Sequence, residues 1–329
     1  MIIKKFYNSE SIKIISHFFL ILSFVFVFYF SFKTVLHNHS YSQIFVNYSE
    51  GFVKNALLGE VVFTLKKFFD VDFKIIINLI FLIFHLLNIV LFLRIIKPVI
   101  NYNKFVYLFF VLNPALILFS IYDIGAFLRK EIFMITSFLY HIYISQLYNY
   151  NLIEKKKYSN LVVYVLGPFI LINSLIHSIQ ILFFPVHFLI FSYNLNYKYG
   201  KKYLFLILIL LILFFSQFFF YKIISIEALY NVTAERLGDF KNQFSLSYAP
   251  YKFLNLNISG RFYETLPYIK NLNFIILYLI SAFLIFIPLV FILKKIDTSE
   301  KKFNFVAILL SISPFFFLMF VASDWGRWM

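Results

Sequence analysis

Cysteine is absent from the 329-residue chain, so disulfides, thiol catalysis and thiolate metal sites are all excluded. Charge is nearly as scarce, at 14% of residues where a soluble domain carries about 25%. The acidic side is the thinner one: 15 Asp and Glu stand against 30 Lys and Arg, for a net charge of +15. In a soluble protein that excess points to nucleic acid. Here the basic residues sit in short connectors between apolar runs, so orientation in a bilayer is the better reason, and no nucleic-acid partner is expected. No GxGxxG, P-loop or HExxH pattern occurs, and neither a cofactor nor a metal is expected. What fills the chain instead is apolar: 62% of residues are hydrophobic and 23% aromatic, with mean hydropathy +0.84. That excludes a soluble two-domain enzyme, a disordered tail and a secreted disulfide scaffold.

A membrane-crossing helix needs about 20 mostly apolar residues. Runs of that kind lie at 14–33, 75–96, 105–122, 132–148, 161–175, 179–193, 204–221, 273–293 and 303–322. They predict an all-α polytopic membrane protein of about nine (8–10) transmembrane helices, a single domain over 1–329. The pair within 161–193 is short and interrupted by Asn173, Ser174, His177 and Ser178, so two spans and a re-entrant hairpin are both open readings. The first run follows Lys4 and Lys5 but is too long for a signal-peptide core and lacks a small-residue cleavage site, so it reads as a retained helix.

Alternate loops differ in basic density. The set 1–13, 94–104, 149–160, 194–203 and 294–302 concentrates its Lys and Arg in short clusters such as Lys155-Lys156-Lys157. The other set, 33–74, 121–131, 176–178, 222–272 and 323–329, is longer and about half as basic per residue. The positive-inside rule therefore places the N-terminus in the cytoplasm. Most acids and most glycines fall in the second set, so any chemistry is expected on the outer face.

The first outer loop carries Glu50-Gly51-Phe-Val-Lys54, followed by apolar residues from Phe52 to Phe68 at helical spacing. An amphipathic helix lying in the interface and started by the Ser49-Glu50-Gly51 turn is predicted. Two readings are open: the helix simply rests on the bilayer, or Glu50 and Lys54 line a cleft entered from the lipid. Asp70-Val-Asp72 is a DxD, a pattern that 15 acids in a chain of this length produce by chance.

The second outer loop packs Asp123, Arg129, Lys130 and Glu131 into a few residues at a membrane surface, where charges are costly unless paired or used. A helix starting near Arg129 makes a phosphate site of that side chain and the first amides. An internal salt bridge closing the turn is the other reading. His177 stands at the outer mouth of a helix pair, as a packing residue or as a proton acceptor.

The loop 222–272 holds Arg236, Arg261 and Tyr230, Tyr248, Tyr251 and Tyr268, a mixture that serves sugar stacking or an aromatic belt. Both tryptophans lie in Asp324-Trp-Gly-Arg327-Trp328, one residue before the last, as a truncated reading frame with a tenth helix to follow also would have it. His85 and His141 are the mid-span ionisable candidates, few for an ion-coupled transporter.

Four features together resemble polytopic bacterial proteins of surface-polysaccharide assembly, the O-antigen polymerases and the multi-spanning glycosyltransferases that use polyprenyl-phosphate-linked sugars. They are the Glu50-to-Lys54 loop with its interfacial helix, Asp123 through Glu131, the late loop with Arg236 and Arg261, and Asp324-Trp-Gly-Arg327. The resemblance implies sugar transfer on the outer leaflet, with membrane lipid and a polyprenyl-phosphate-linked sugar as partners. It implies a base among Glu50, Asp123 and His177. It assigns the phosphate and substrate contacts to Lys54, Arg129, Lys130, Arg236, Arg261, Asp324 and Arg327. A transporter or flippase-like protein for lipid-linked or small anionic substrates, and a non-catalytic envelope scaffold, are the alternatives.

Overall fold

The computed structural model describes residues 38–53, 55–102, 127–178, 184–195 and 225–255, with isolated positions at 14, 18, 21, 22, 25, 29, 180, 263, 266 and 276. Their regular structure is helical, with no strand among the described residues. The helices are α1 (Asn38–Ile44), α2 (Leu57–Phe69), α3 (Phe73–Tyr102), α4 (Glu131–Asn149), α5 (Lys155–Leu161), α6 (Gly167–Ile176), α7 (Phe184–Leu195), α8 (Ile226–Leu237) and α9 (Ala249–Asn255). The runs at 105–122, 204–221 and 303–322 lie outside the described residues, as does most of 14–33 and 273–293. The chain divides into two compact units, Met1–Ile181 with Ile190–Tyr251 and Leu182–Leu189 with Lys252–Met329. Both polar clusters described below lie in the first unit.

Among the described residues, two helices are long and apolar enough to cross a membrane, Phe73–Lys97 at 25 residues and Lys155–Ile176 at 22. At 1.5 Å per residue they measure about 37 and about 33 Å, against a hydrocarbon core of about 30 Å. The polarity of α3 is inverted relative to a helix in water. Ile75, Leu79, Ile83, Leu87 and Val90 recur every third or fourth residue and are 41 to 59% exposed. Its polar residues Asn78, His85 and Asn88 are buried. The His85 ring meets the Phe127 carbonyl at 2.9 Å, and Asn88 Nδ2 donates to the Ile132 carbonyl at 3.3 Å. An outward apolar stripe with inward, hydrogen-bonded polar groups is what a helix facing hydrocarbon needs. The isolated positions Ile14, Phe18, Ile21, Val25 and Tyr29 are likewise helical, apolar and exposed.

For the stretch after 160, where spans and a hairpin are both open in sequence, the first half is one continuous rod from Lys155 to Ile176. It starts six residues before the apolar run, because the three lysines lie within its first turn. Of the interrupting polar residues, Asn173 and Ser174 do not break it. Asn173 Nδ2 donates to the Phe133 carbonyl at 2.9 Å, and the Ser174 hydroxyl bonds back to the Leu171 carbonyl at 2.7 Å. Between α5 and α6 the rod widens into a π-turn over Val162–Leu166, with Gly167 N–H bonding to Val162 O. Pro168, just beyond, has no N–H and crowds the carbonyl four residues back, so the wider turn absorbs it. The rod stops at His177, whose backbone is extended.

The amphipathic helix of the first loop is present but begins at Leu57, not at the Ser49-Glu50-Gly51 turn. Gly51 at φ +109° and Asn55 at φ +64° both leave the right-handed helical region, so the apolar rhythm through Phe52, Val53 and Ala56 is not continued as helix. Its buried face is Leu58, Gly59, Val62 and Phe63, while Phe68 and Phe69 at its end are exposed. The DxD divides into two helix caps. Asp70 ends α2 in the left-handed region and pairs with Lys66 at 2.8 Å, and Asp72 Oδ1 accepts the Lys74 N–H at 2.7 Å where α3 begins.

An aromatic core holds these pieces in register. Phe45 and Phe73 meet edge to face at 5.5 Å, Phe73 and Phe240 at 5.3 Å, and Tyr41 and Phe244 at 5.7 Å. Offset and edge contacts of this kind add to the area that the rings bury. The cluster ties α1, α2 and the start of α3 to the segment 237–244, within the long late loop of the sequence reading. That region starts instead with α8, capped by Ser225 Oγ accepting the Ala228 N–H at 3.2 Å and ended by Gly238 at φ +53°. Its mixed polarity hides it from a search for apolar runs.

Candidate functional site

Three loops far apart in sequence meet at the start of α4. The helix opens with Ile132 and Phe133 N–H bonding to the carbonyls of Arg129 and Lys130. This brings Arg129, Lys130 and Glu131 to one end of it. His177, where α6 ends, places Nε2 3.7 Å from Glu131 Oε1. Asn55, in the first loop, joins the two. Lys130 Nζ donates to its carbonyl at 2.7 Å, and its Oδ1 accepts the Ser178 N–H at 2.6 Å. The left-handed backbone of Asn55 turns both oxygens to this use, a conformation that asparagine tolerates better than most residues.

The electrostatics of the cluster follow from its burial. Burial pushes the Glu131 carboxyl up, but hydrogen bonding and charge from His177, its own backbone N–H and the Arg129 charge outweigh this and hold it below the usual carboxylate range. Glu131 is therefore an ionised carboxylate facing Nε2 of an imidazole. His177 Nδ1 is buried and has no hydrogen-bond partner among the described residues. Burial lowers the Lys130 ammonium to about 7, the Glu131 charge restoring part of the loss.

Lys130 carries a testable pH dependence. In the unfolded chain it titrates near 10.5 and in the folded chain near 7. Below pH 7 both states hold the proton, and the folded state bears the full cost of a buried charge. Between pH 7 and 10.5 the unfolded state holds more protons, so stability rises with pH, by an amount on the order of 5 kcal/mol across the window. Thermal midpoints in detergent are expected to climb between pH 7 and 10 in the wild type and to climb less in Lys130→Met.

A second cluster joins the first loop to α8. Arg236 grips Glu60 with both guanidinium nitrogens, at 3.2 and 3.1 Å, and reaches Asn47 Oδ1 at 2.9 Å. Its charged plane lies 4.1 Å over the Phe63 ring. Asn47 Nδ2 donates in turn to Thr233 Oγ1 at 2.9 Å, and Glu60 Oε2 also accepts the Tyr48 N–H at 3.2 Å. The Arg236 hydrogen bonds hold the Glu60 carboxyl below its usual range, against the opposing effect of burial. Burial, with the Glu60 charge, pushes the Tyr48 phenol up to about 12. If this is a latch, Arg236→Ala costs about 1–3 kcal/mol in thermal stability, and Arg236→Lys recovers little because a point charge lacks the two-pronged fit. If the residue instead holds substrate phosphate, the substitution weakens donor binding and spares the thermal midpoint.

The structure thus brings Arg129, Lys130 and His177 together and gives Arg236 a carboxylate partner elsewhere. Glu50 is exposed on the turn closed by Gly51 N–H to Tyr48 O. Lys54, Asp123, Arg261, Asp324 and Arg327 lie outside the described residues. Sequence reasoning names neither Glu131 nor Glu60 as functional, nor Asn55. Glu131 is visible there only as one of four charges in a short loop, and nothing in the sequence pairs it with His177.

The mid-span histidines are both engaged. The His85 ring reaches the Phe127 carbonyl, as described above. His141 lies on a polar stripe of α4 with Ser137 and Ser145, each one turn apart. Its Nε2 is 3.3 Å from Tyr158 OH, which also meets Ser145 Oγ at 3.3 Å and accepts from Asn194 Nδ2 at 2.8 Å. No protein family, curated protein or solved structure matches the chain.

Proposed function

We propose that the chain transfers a sugar, or polymerises sugars, from a polyprenyl-(di)phosphate-linked donor on the outer leaflet of a bacterial inner membrane, in cell-surface polysaccharide assembly. In this reading it is a polytopic protein of about nine spans with its N-terminus in the cytoplasm and the α4 start facing outward. The observation that carries the proposal is the half-buried His177–Glu131 pair with Arg129 and Lys130 beside it.

The chemistry such a transfer requires is a proton acceptor and a fixed positive field. His177 Nδ1 takes the proton of the acceptor hydroxyl while Glu131 stabilises the imidazolium that forms. The freed oxygen bonds to the anomeric carbon, and the bond from that carbon to the phosphate oxygen breaks, its electron pair leaving on the lipid phosphate. Arg129 and protonated Lys130 offset the charge that develops there. Arginine suits the phosphate because its planar fork pairs with two oxygens at once.

The test uses isolated membranes carrying the full chain, supplied with polyprenyl-phosphate donors bearing radiolabelled glucose, galactose or N-acetylglucosamine. Chain-dependent movement of label from the lipid phase into a water-soluble or lengthened product is expected with at least one donor. Labelled lipid that crosses the bilayer chemically unchanged would contradict the proposal. It would favour the transporter reading, for which the polar stripe around His141 and Tyr158 is the supporting observation.

A further inference from the structure

The apolar side of α2 divides into two strips with different surroundings. Leu58, Gly59, Val62 and Phe63 are buried in the protein. At about 3.6 residues per turn, Leu57, Val61, Leu65 and Phe68 fall together in a second strip beside them, about 80° wide. Leu57 and Leu65 are half-buried against the aromatic core, whereas Val61 and Phe68 are exposed, at 39 and 76%. The next strip round the helix is polar, with Glu60, Thr64 and Lys67. On that side Arg236 of α8 holds Glu60.

The two edges of the buried face therefore differ. On one edge Phe63 passes straight into the polar strip at Lys67, as in a helix between protein and water. On the other edge burial gives way to exposed apolar residues, and polarity begins only beyond them. That order suits a helix with protein on one side, lipid on the second and water on the third.

The end of α2 adds another exposed ring. Phe69 lies on the same side as Leu58 and Val62, but α2 outruns the core there and the ring is 69% exposed. The turn around the two phenylalanines is charged. Lys66 pairs with Asp70, Asp72 caps the start of α3, and Lys67 is exposed. Exposed apolar surface resumes in the first turn of α3 at Ile75 and continues through Leu79 and Ile83. This continuity with the stripe suited to hydrocarbon names the occupant. One phospholipid leaflet covers both surfaces, with the rings at its boundary and the lysine stem reaching back to the phosphates.

We propose that the elbow between α2 and α3 docks on a phospholipid leaflet: the Phe68 and Phe69 rings enter the acyl region, Val61 lies along it and Lys67 stays at the phosphates. This docking rests on the membrane reading and is independent of the transfer chemistry. It narrows the interfacial face expected of this helix from sequence, because Leu58, Val62 and Phe63 pack on protein instead.

The experiment uses the absence of cysteine, which makes a spin label on one introduced Cys unique in the chain. The full chain in nanodiscs of phosphatidylethanolamine and phosphatidylglycerol is labelled at Val61→Cys, Thr64→Cys, Phe68→Cys, Phe69→Cys or Ile83→Cys, all exposed positions. Power saturation then compares collisions with oxygen, which concentrates in lipid, and with a water-soluble nickel chelate. Labels at 61, 68 and 69 are expected to favour oxygen, as at 83, and the label at 64 to favour nickel. Labels at 68 and 69 that favour nickel while 83 favours oxygen overturn the docking and leave the membrane reading standing. A label at 83 that favours nickel removes both. Labels at 68 and 69 that are immobilised and meet neither reagent show a protein cover in place of lipid, and also overturn the docking.

Discussion

Glu131→Gln is expected to lower the rate of sugar transfer by about 10²–10⁴-fold while leaving the donor KM nearly unchanged, the loss that a disabled proton-transfer pair produces. The substitution preserves shape but removes the charge that steadies the imidazolium. Stability responds as well. Removing the carboxylate leaves the neighbouring Arg129 and Lys130 charges without it. Single-turnover transfer together with thermal unfolding separates the two effects. A folded Glu131→Gln protein that transfers at the wild-type rate would remove Glu131 from the mechanism.

Gly59→Ala is expected to destabilise the fold by about 3 kcal/mol or more, although alanine is the better helix former by about 1 kcal/mol. A Cβ at this position runs into the Val46 carbonyl oxygen and comes within 2.7 Å of the Ile44 carbonyl oxygen. Both obstacles are backbone at the end of α1, so no side chain can rotate away. The helix itself would have to move. Asn55, two residues before the helix, holds Lys130 and Ser178, and Glu60, within it, holds Arg236. A shift of α2 therefore disturbs both polar clusters, and activity should fall with stability. Thermal midpoints and folded yield after detergent extraction measure the effect. A Gly59→Ala protein as stable as the wild type would mean that α1 and α2 are not packed this closely.

How much of this is legible in the sequence depends on the kind of interaction. The apolar run at 132–148 lies within one residue at each end of helix α4, because a run bounded by Lys130-Glu131 and Asn149 states its own limits. Helix ends ruled by backbone conformation are not legible in the same way. Apolar rhythm through Phe52 and Val53 starts α2 too early, whereas the chain turns left-handed at Asn55 and the helix waits until Leu57. The Lys155–Ile176 rod is started too late because three lysines resemble a connector, although their charged ends reach solvent from within a helix.

Site residues divide along the same line. Arg129, Lys130 and His177 stand out as costly charges or imidazoles at the ends of apolar runs, a local property. Their convergence, and the partners Glu131 and Asn55, depend on how distant loops fold together. Arg236 looks like a free cation in a long loop. Its carboxylate partner lies 176 residues away, and only the packing of Phe45, Phe73 and Phe240 brings the two within reach.

A double-mutant cycle on Glu131 and His177, read in the rate of transfer, tests the central claim most directly. If the two side chains act as one proton-transfer unit, Glu131→Gln, His177→Gln and the double variant lose rate by nearly the same factor, because removing the second member of a broken pair costs little more. Losses that multiply would show two independent residues and contradict a shared site at the start of α4.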